Sequence, residues 1–297
     1  MPARGRGALV ALLCGAAAIG SSALFVKVSE AGPVSTGFWR VFLALPVLWA
    51  WAAYDARARP GVTSRADVRL MVYAGFFFAG DLAVWHWSIL LTSVANATLL
   101  ANCAPIFVTL AAWLLFRRRP RGQFLIGLAA AIAGMFMLLR GDFHHAGAAL
   151  LGDALGLVTA VFYAGYQITV ARARTAISTA RLMAVTGTVT ALALLPIALF
   201  SGERFVPLTA HGWLLLVSLA LVSQVAGQSL IAYALAHLPG TFASVALLVQ
   251  AVIAAALAWM LLGETLTPLA IAGGILVLVG IRISHTAERR GTSFRIE

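Results

Sequence analysis

One carboxylic acid lies deep within a long apolar stretch of this sequence. Asp81 follows Phe76–Phe78 and precedes the Trp85-His86-Trp87 cluster. A carboxylate in such surroundings must be protonated, paired with a cation or in contact with water. It could bind a cationic group or exchange a proton during a transport cycle, and it could equally bond to a neighbouring helix. Both interpretations stay open for Asp81.

His86 is the second titratable group of this stretch, and its charge can change near neutral pH. It lies five positions after Asp81, about 140° around the helix axis, so we expect the two on different faces. A histidine within a membrane helix can also be a hydrogen-bonded packing residue. Asp81 and His86 are the candidates for proton coupling, and with Trp85 they are candidates for substrate binding.

Polar side chains recur at helical spacing in other apolar stretches. Asn102 shares one predicted face with Thr98 and Thr109, and Pro105 on that face could loosen the helix. Such residues can line a cavity or bond helices to each other, and both readings stay open. The further candidate substrate-binding residues chosen on this basis are Asn102, Tyr163, Tyr166, Gln167, Gln224, Gln228 and Gln250.

No arrangement for catalysis or metal binding is evident. None of the six histidines lies in an H-E-x-x-H motif, and Ser21 and Ser22 have no evident activating base. A phosphate-binding G-x-x-x-x-G-K-[ST] loop is absent from the sequence, which excludes an ATP-driven pump formed by this chain alone. The two cysteines, Cys14 and Cys103, lie in apolar stretches. We therefore expect no catalytic residues, no cofactor and no metal.

The elements that carry these residues must be membrane helices. The chain is 62% hydrophobic and 10% charged, whereas a soluble domain has about 25% charged residues. The apolar stretches do not alternate as barrel strands would, and each is long enough to cross a bilayer as a helix. The predicted spans are 7–28, 35–54, 68–91, 94–115, 121–140, 150–171, 178–200, 210–236, 241–262 and 267–285.

The net charge of +11 comes from arginines that lie mostly in alternate connections between the spans. Basic residues favour the cytoplasmic side of a membrane. We therefore expect a bacterial inner-membrane protein with both termini in the cytoplasm, in contact with the lipid bilayer and without a nucleic-acid partner.

An internal repeat is visible when the sequence is shifted against itself by 146 residues. Without a gap, this shift places Ala97 on Ala243, Ala112 on Ala258, Trp113 on Trp259, Gly127 on Gly273 and Gly134 on Gly280. Each half then has five helices, and because five is odd the second half must be inverted relative to the first. The predicted fold class is an all-α integral membrane protein with ten transmembrane helices in two inverted repeats, residues 1–146 and 147–297. Such repeats typically hold a transport site at their interface.

The chain resembles the ten-helix EamA-type members of the drug/metabolite transporter superfamily over nearly its whole length. The resemblance lies in the ungapped repeat, in the segment 258–267 (AWMLLGETLT) with Gly273 and Gly280, and in Phe38-Trp-Arg40. In the first half, Arg117 and Arg118 stand where the second half has Gly263 and Glu264. The resemblance implies transport of a metabolite or amino acid, often as efflux, without ATP.

Charge restricts the substrate class. Phosphorylated solutes would need several cations in the pathway, and only Lys27 and Arg40 are available; multivalent cations would need several acids. Arg40, at the predicted outer membrane edge, could attract an anionic group, or it could anchor the helix and pair with a nearby acid; we favour the anchor role. For Glu264 we favour a structural role. The expected function is secondary transport of a small neutral or zwitterionic metabolite, an amino acid first, with protons as a candidate second partner. An aromatic metabolite such as a flavin is the alternative, and an intramembrane enzyme or a scaffold is a weaker one.

Overall fold

The computed structural model describes residues 3–58, 63–117, 119–139, 147–263 and 265–289, and these are nearly all helical. Arg118 and Glu264 lie outside the described residues. Within the described ranges, ten helices are long and apolar enough to cross a membrane, as the sequence predicted. They are α1 (Gly5–Val28), α2 (Pro33–Ala58), α3 (Arg65–Leu91), α4 (Ala95–Leu114), α5 (Gly122–Leu139), α6 (Ala148–Ala173), α7 (Thr179–Phe200), α8 (Ala210–Leu235), α9 (Gly240–Leu261) and α10 (Pro268–Glu288).

The outward faces of these helices carry large apolar side chains. Trp51, Leu115, Phe200 and Met260 are all exposed, in company with many leucines and valines. Water would make such a surface unfavourable, because a soluble monomer rarely exposes large contiguous apolar patches. Lipid tails accommodate it, so the surface agrees with the ten spans.

The helix pairs that pack together form matched sets. Helix α3 packs along α6, and their counterparts in the other half, α8 and α1, also pack together. Likewise α4 packs on α6, and their counterparts α9 and α1 pack together. The remaining contacts include α5 with α10, α2 with α7 and α4 with α9. Exchanging each helix for its counterpart five places along the chain leaves these seven pairs unchanged. An inverted repeat would produce this symmetry, although the division of the chain at residue 146 stays a prediction.

The contact between α5 and α10 depends on glycines. A Cβ atom added to Gly134 would lie 2.6 Å from the carbonyl oxygen of Gly273, and one added to Gly127 would lie 2.8 Å from that of Gly280. The added Cβ atoms of Gly273 and Gly280 would each lie 2.6 Å from the oxygen of their partner in turn. Small residues permit such close approach of helices in lipid. The seven-residue glycine spacing therefore serves packing within one chain.

Helices α4 and α9 are interrupted at corresponding places. The first part of α4 ends at Ala101 and the second starts at Ala104, while α9 is interrupted at Leu247 and Leu248. At both places backbone bonds to the third preceding residue replace the α-helical pattern, as for Cys103 N to Leu100 O (3.0 Å). Irregular backbone inside a membrane protein is tolerated where it faces protein or a cavity.

A loop contact joins the two halves at the end of the bundle where α2 and α8 begin. The carboxylate of Glu30, between α1 and α2, accepts hydrogen bonds from the backbone N–H groups of Leu208 (2.9 Å) and Thr209 (3.1 Å), just before α8. The carboxylate of Glu203, between α7 and α8, accepts a hydrogen bond from the N–H of Val34 (3.0 Å), in the first turn of α2. Each half thus supplies a carboxylate to a helix N-terminus of the other, where negative charge is favoured.

Candidate functional site

A cavity of about 170 Å³ lies between the two halves. Helices α1, α2, α3 and α4 line it from the first half, and α6, α8 and α9 line it from the second. Its volume corresponds to roughly five or six water molecules at about 30 Å³ each. A solute of that size fits the cavity without movement of the helices.

Helix α3 contributes one continuous face to the cavity. Phe78, Asp81, Leu82, Trp85 and His86 all line it, at the spacing i, i+3, i+4, i+7 and i+8 that marks one side of a helix. The expectation that Asp81 and His86 lie on different faces was wrong. The cavity curves around a broad sector of α3, so residues 140° apart form its two edges.

Arg40 on α2 also lines the cavity, and its exposed fraction is only 8%. Its guanidinium carbon lies 5.9 Å from the centre of the Phe78 ring, and it interacts electrostatically with Asp81. The preferred interpretation as an anchor at the membrane edge was therefore wrong. The residue lies about 10 Å along the helix from Pro33, and its side chain turns inward. Lys27 is exposed and does not line the cavity.

The orientation of His86 is set by two neighbours. Its Nδ1 is hydrogen-bonded to the carbonyl oxygen of Leu82, one turn earlier, which leaves Nε2 without a partner among the described residues. Gly37 on α2 makes room for the ring, because a Cβ at this position would lie 2.9 Å from Cε1 of His86. Helices α2 and α3 thus meet through a glycine and a histidine at the cavity wall.

The interrupted helices α4 and α9 meet at their breaks. Gln250 donates from Nε2 to Oδ1 of Asn102 (3.1 Å), and Asn102 donates from Nδ2 to the carbonyl oxygen of Thr98 (2.8 Å). Both Asn102 and Gln250 line the cavity, and Oε1 of Gln250 has no hydrogen-bond partner in the described part of the chain. A hydrogen bond between two side-chain amides therefore links the two halves directly at the cavity.

The predicted residues of α6 and α8 divide into two layers. Tyr163 and Gln228 line the cavity. Tyr166 lies behind them: it is 1% exposed, its hydroxyl donates to Oε1 of Gln228 (3.3 Å), and its ring stacks on Phe78. Gln167 and Gln224 are buried away from the cavity, so the structure does not bring them into the group formed by the other candidates.

Sequence reasoning missed several lining residues. Ser22 on α1 and Thr36 and Gly37 on α2 line the cavity without having been proposed for it, and Arg40 lines it although the anchor role was favoured. Thr36 and Arg40 stand at i and i+4, the same polar spacing that drew attention to α4 and α6. Applying that rule to α2 would have found them.

The lining combines one carboxylate, one guanidinium, neutral amides and hydroxyls, and aromatic rings. The hydroxyl of Tyr163 and Nε2 of His86 have no hydrogen-bond partner among the described residues, and neither has Nε of Arg40. Buried polar groups normally find partners. Such a lining suits reversible binding of a small polar solute, which would supply the missing hydrogen bonds.

The model of the EamA-like transporter family matches residues 6–140 and 150–286 of this chain. The two matched stretches together include nearly all of the described helices. Their boundary lies beside the predicted division at residue 146.

Curated relatives carry transporter names. A Pseudomonas aeruginosa protein named pseudopaline exporter CntI is 28% identical over 227 residues, which cover 76% of this chain and 78% of the relative. An uncharacterized transporter of Archaeoglobus fulgidus is 24% identical over 278 residues, covering 91% of this chain and 94% of its own length. A solved crystal structure matches the fold with a TM-score of 0.78 at 18% identity, covering 95% of this chain and 99% of that chain.

Proposed function

The chain belongs to the EamA-like transporter family and is a multi-pass membrane transport protein, and from its cavity we propose which solutes it carries. The proposed substrates are small neutral or zwitterionic metabolites, amino acids first, exported by alternating access. The observation that carries the proposal is the cavity between the halves, with Asp81 and Arg40 of opposite charge in one lining of about 170 Å³.

The size of the cavity favours an amino acid over a larger solute. Sites for drug-sized ligands occupy about 300–1,000 Å³. A flavin would therefore require the helices to move apart before it could bind. An aromatic metabolite stays the second candidate because Phe78, Trp85 and Tyr163 bring three aromatic rings to the lining.

Export from the cytoplasm is the proposed direction. The Pseudomonas aeruginosa relative is named an exporter, and the arginine-rich connections favour an inner-membrane protein with cytoplasmic termini. The lining residues of α1 to α4 belong mostly to the part of each helix nearer the end of the bundle where α2 and α8 begin, which this orientation places outside.

Proton coupling through Asp81 is part of the proposal. Arg40 faces this carboxyl group from α2, Tyr163 and Tyr166 face it from α6, and His86 shares its helix. A proton and a cationic substrate group would compete for the same carboxylate. His86 is the second coupling candidate, because its Nε2 has no partner among the described residues.

Counterflow in proteoliposomes tests the substrate class. Purified protein is reconstituted into vesicles loaded with unlabelled solute, and entry of the same labelled solute is followed for a panel of amino acids and for riboflavin. We expect counterflow for at least one amino acid, well above that of protein-free vesicles. Counterflow of riboflavin alone would replace the first candidate with the second, and none for any member would overturn both.

A pH gradient tests the coupling. With the best substrate of the panel, we expect an imposed gradient to drive accumulation by the unmodified protein and to lose that effect in Asp81→Asn. Asp55→Asn, which removes a carboxylate outside the cavity, is the matched control and should keep the response. If Asp81→Asn responds to the gradient like the unmodified protein, the carboxyl group is not the coupling site.

A further inference from the structure

Arg40 is a buried charge for which the described residues provide no hydrogen-bonded partner. Its exposed fraction is 8%, its Nε makes no hydrogen bond, and no hydrogen bond to its side chain is found in the described part of the chain. The ring of Phe78, 5.9 Å from the guanidinium carbon, is a weak substitute for an anion. Removing a guanidinium from water without an anionic partner is strongly unfavourable. An anionic group in the cavity that Arg40 lines would supply such a partner.

Asp81 does not fill that role directly. It lies on α3, lines the same cavity and attracts Arg40 electrostatically, but the two side chains form no direct ion pair. One cavity is thus lined by one positive and one negative group. A solute with both charges on neighbouring atoms would complement this arrangement.

We propose that Arg40 binds the carboxylate of an α-amino acid and that Asp81 binds its ammonium group. The inference rests on the proposed function and adds the orientation of the substrate. The planar guanidinium can donate two parallel hydrogen bonds to a carboxylate, which a lysine cannot do. The side chain of the amino acid is left facing the largely apolar remainder of the lining, including Val26, Trp85 and Ala254.

This orientation makes both charges of the substrate necessary. An amine without a carboxylate would leave the guanidinium of Arg40 without an anion to bind. An acid without an amino group would leave the carboxylate of Asp81 without a cation to bind. A site with buried polar groups discriminates strongly against analogues that cannot pair with them. The unmodified protein should therefore prefer an amino acid to both analogues.

Competition with counterflow of the labelled amino acid tests the assignment. For L-leucine the analogues are isopentylamine and isocaproate, and for L-phenylalanine they are phenethylamine and hydrocinnamate. In Arg40→Gln, we expect the KM for the amino acid to rise roughly 10- to 100-fold and the preference over the amine to disappear. In Asp81→Asn, the preference over the acid should disappear instead.

Two further variants separate binding from folding. Arg204→Gln removes an exposed arginine outside the cavity and should leave both preferences unchanged. Arg40→Lys keeps the charge but loses the planar fork, so it should retain a weakened preference for the amino acid even if Arg40→Gln does not fold.

The result can fail in two distinguishable ways. If the unmodified protein carries no amino acid, the proposed function falls and the substrate orientation falls with it. If it carries amino acids but Arg40→Gln and Arg40→Lys keep the unmodified preference over the amine, the proposed function stands and the role of Arg40 is overturned.

Discussion

Two of the interfaces between the halves of this protein differ in the kind of atoms that meet there. Between α5 and α10, glycines bring backbone against backbone, as where an added Cβ at Gly134 would meet Gly273. At the cavity, the same halves meet through Asn102 and Gln250. Beside them lie Nε of Arg40, Nε2 of His86 and the hydroxyl of Tyr163, for which the described residues provide no hydrogen-bond partner. At the first interface the backbones of the two helices are in close contact, and at the second the cavity leaves space for a solute.

The contrast assigns different tasks to the two regions. Close packing is sensitive to added volume, so the α5–α10 pair is suited to hold the halves together through the transport cycle. Unpaired polar groups are costly unless a ligand completes them, so the cavity wall is suited to bind and release. Substitutions should therefore affect stability at the first interface and transport at the second.

The largest effect is expected from Gly273→Ala on α10. Its new Cβ would lie 2.5 Å from the backbone nitrogen of Leu138 and 2.6 Å from the carbonyl oxygen of Gly134. Because backbone atoms cannot rotate away, the helices must separate, at a cost of about 1–3 kcal/mol in the free energy of unfolding. Thermal unfolding in detergent measures the loss.

Gly274→Ala is the matched control on the same helix. Its Cβ would lie 3.5 Å from Cγ1 of Val252, an ordinary contact, so the variant should keep its stability or gain up to about 1 kcal/mol. Equal melting temperatures for the two variants would show that α5 and α10 are not held in the close contact described.

The membrane helices were predictable from sequence, whereas the membership of the cavity was only partly so. Apolar length alone fixes where a helix can cross lipid, so the spans agree closely with the structure. Asp81 was found because a carboxylate inside a span needs an explanation. Tyr166 and Gln167 are polar residues at the same helical spacing as Tyr163, yet of the three only Tyr163 lines the cavity. Helical periodicity shows which residues share a face of a helix, but it does not show which neighbouring helix that face packs against. Arg40 was misplaced for the same reason.

Gly37→Ala tests the same contrast at the cavity, where Gly37 of α2 contacts His86. The added Cβ would approach Cε1 of His86 to 2.9 Å, but a side chain can turn away where a backbone cannot. Moving the ring off its preferred rotamer costs about 1 kcal/mol. We expect stability close to that of the unmodified protein and a KM raised about fivefold. Counterflow and thermal unfolding of the same preparation check both; a large loss of stability with unchanged KM would contradict the division of tasks.

The hydrogen bond between Asn102 and Gln250 should contribute less. Interhelical side-chain bonds in membrane proteins average about 0.6 kcal/mol in double-mutant cycles. We expect a coupling energy of that order from Asn102→Ala, Gln250→Ala and the double variant, measured by unfolding in mixed detergent. A coupling of several kcal/mol would mean that the bond holds the halves together and that the cavity wall shares the role of α5 and α10.

The smallest effect is expected at the exposed loop contact, where Glu30→Gln removes one carboxylate. Hydrogen bonds from Thr209 and from the backbone of Leu208 lower the pKa of Glu30 below its usual value of 4.5. A group with a lowered folded-state pKa stabilises the fold above its unfolded pKa, and this contribution disappears as the pH falls through the folded-state value. The unmodified protein should therefore melt slightly above Glu30→Gln at about pH 7. The difference should shrink as the pH falls below 4.5 and vanish once the pH is below the lowered pKa of Glu30 in the folded state. Solvent screening keeps the difference in melting temperature small, unlike the difference at Gly273.

A difference in melting temperature that persists unchanged into strong acid would contradict this prediction. It would show that the charge of the carboxylate contributes nothing to this contact.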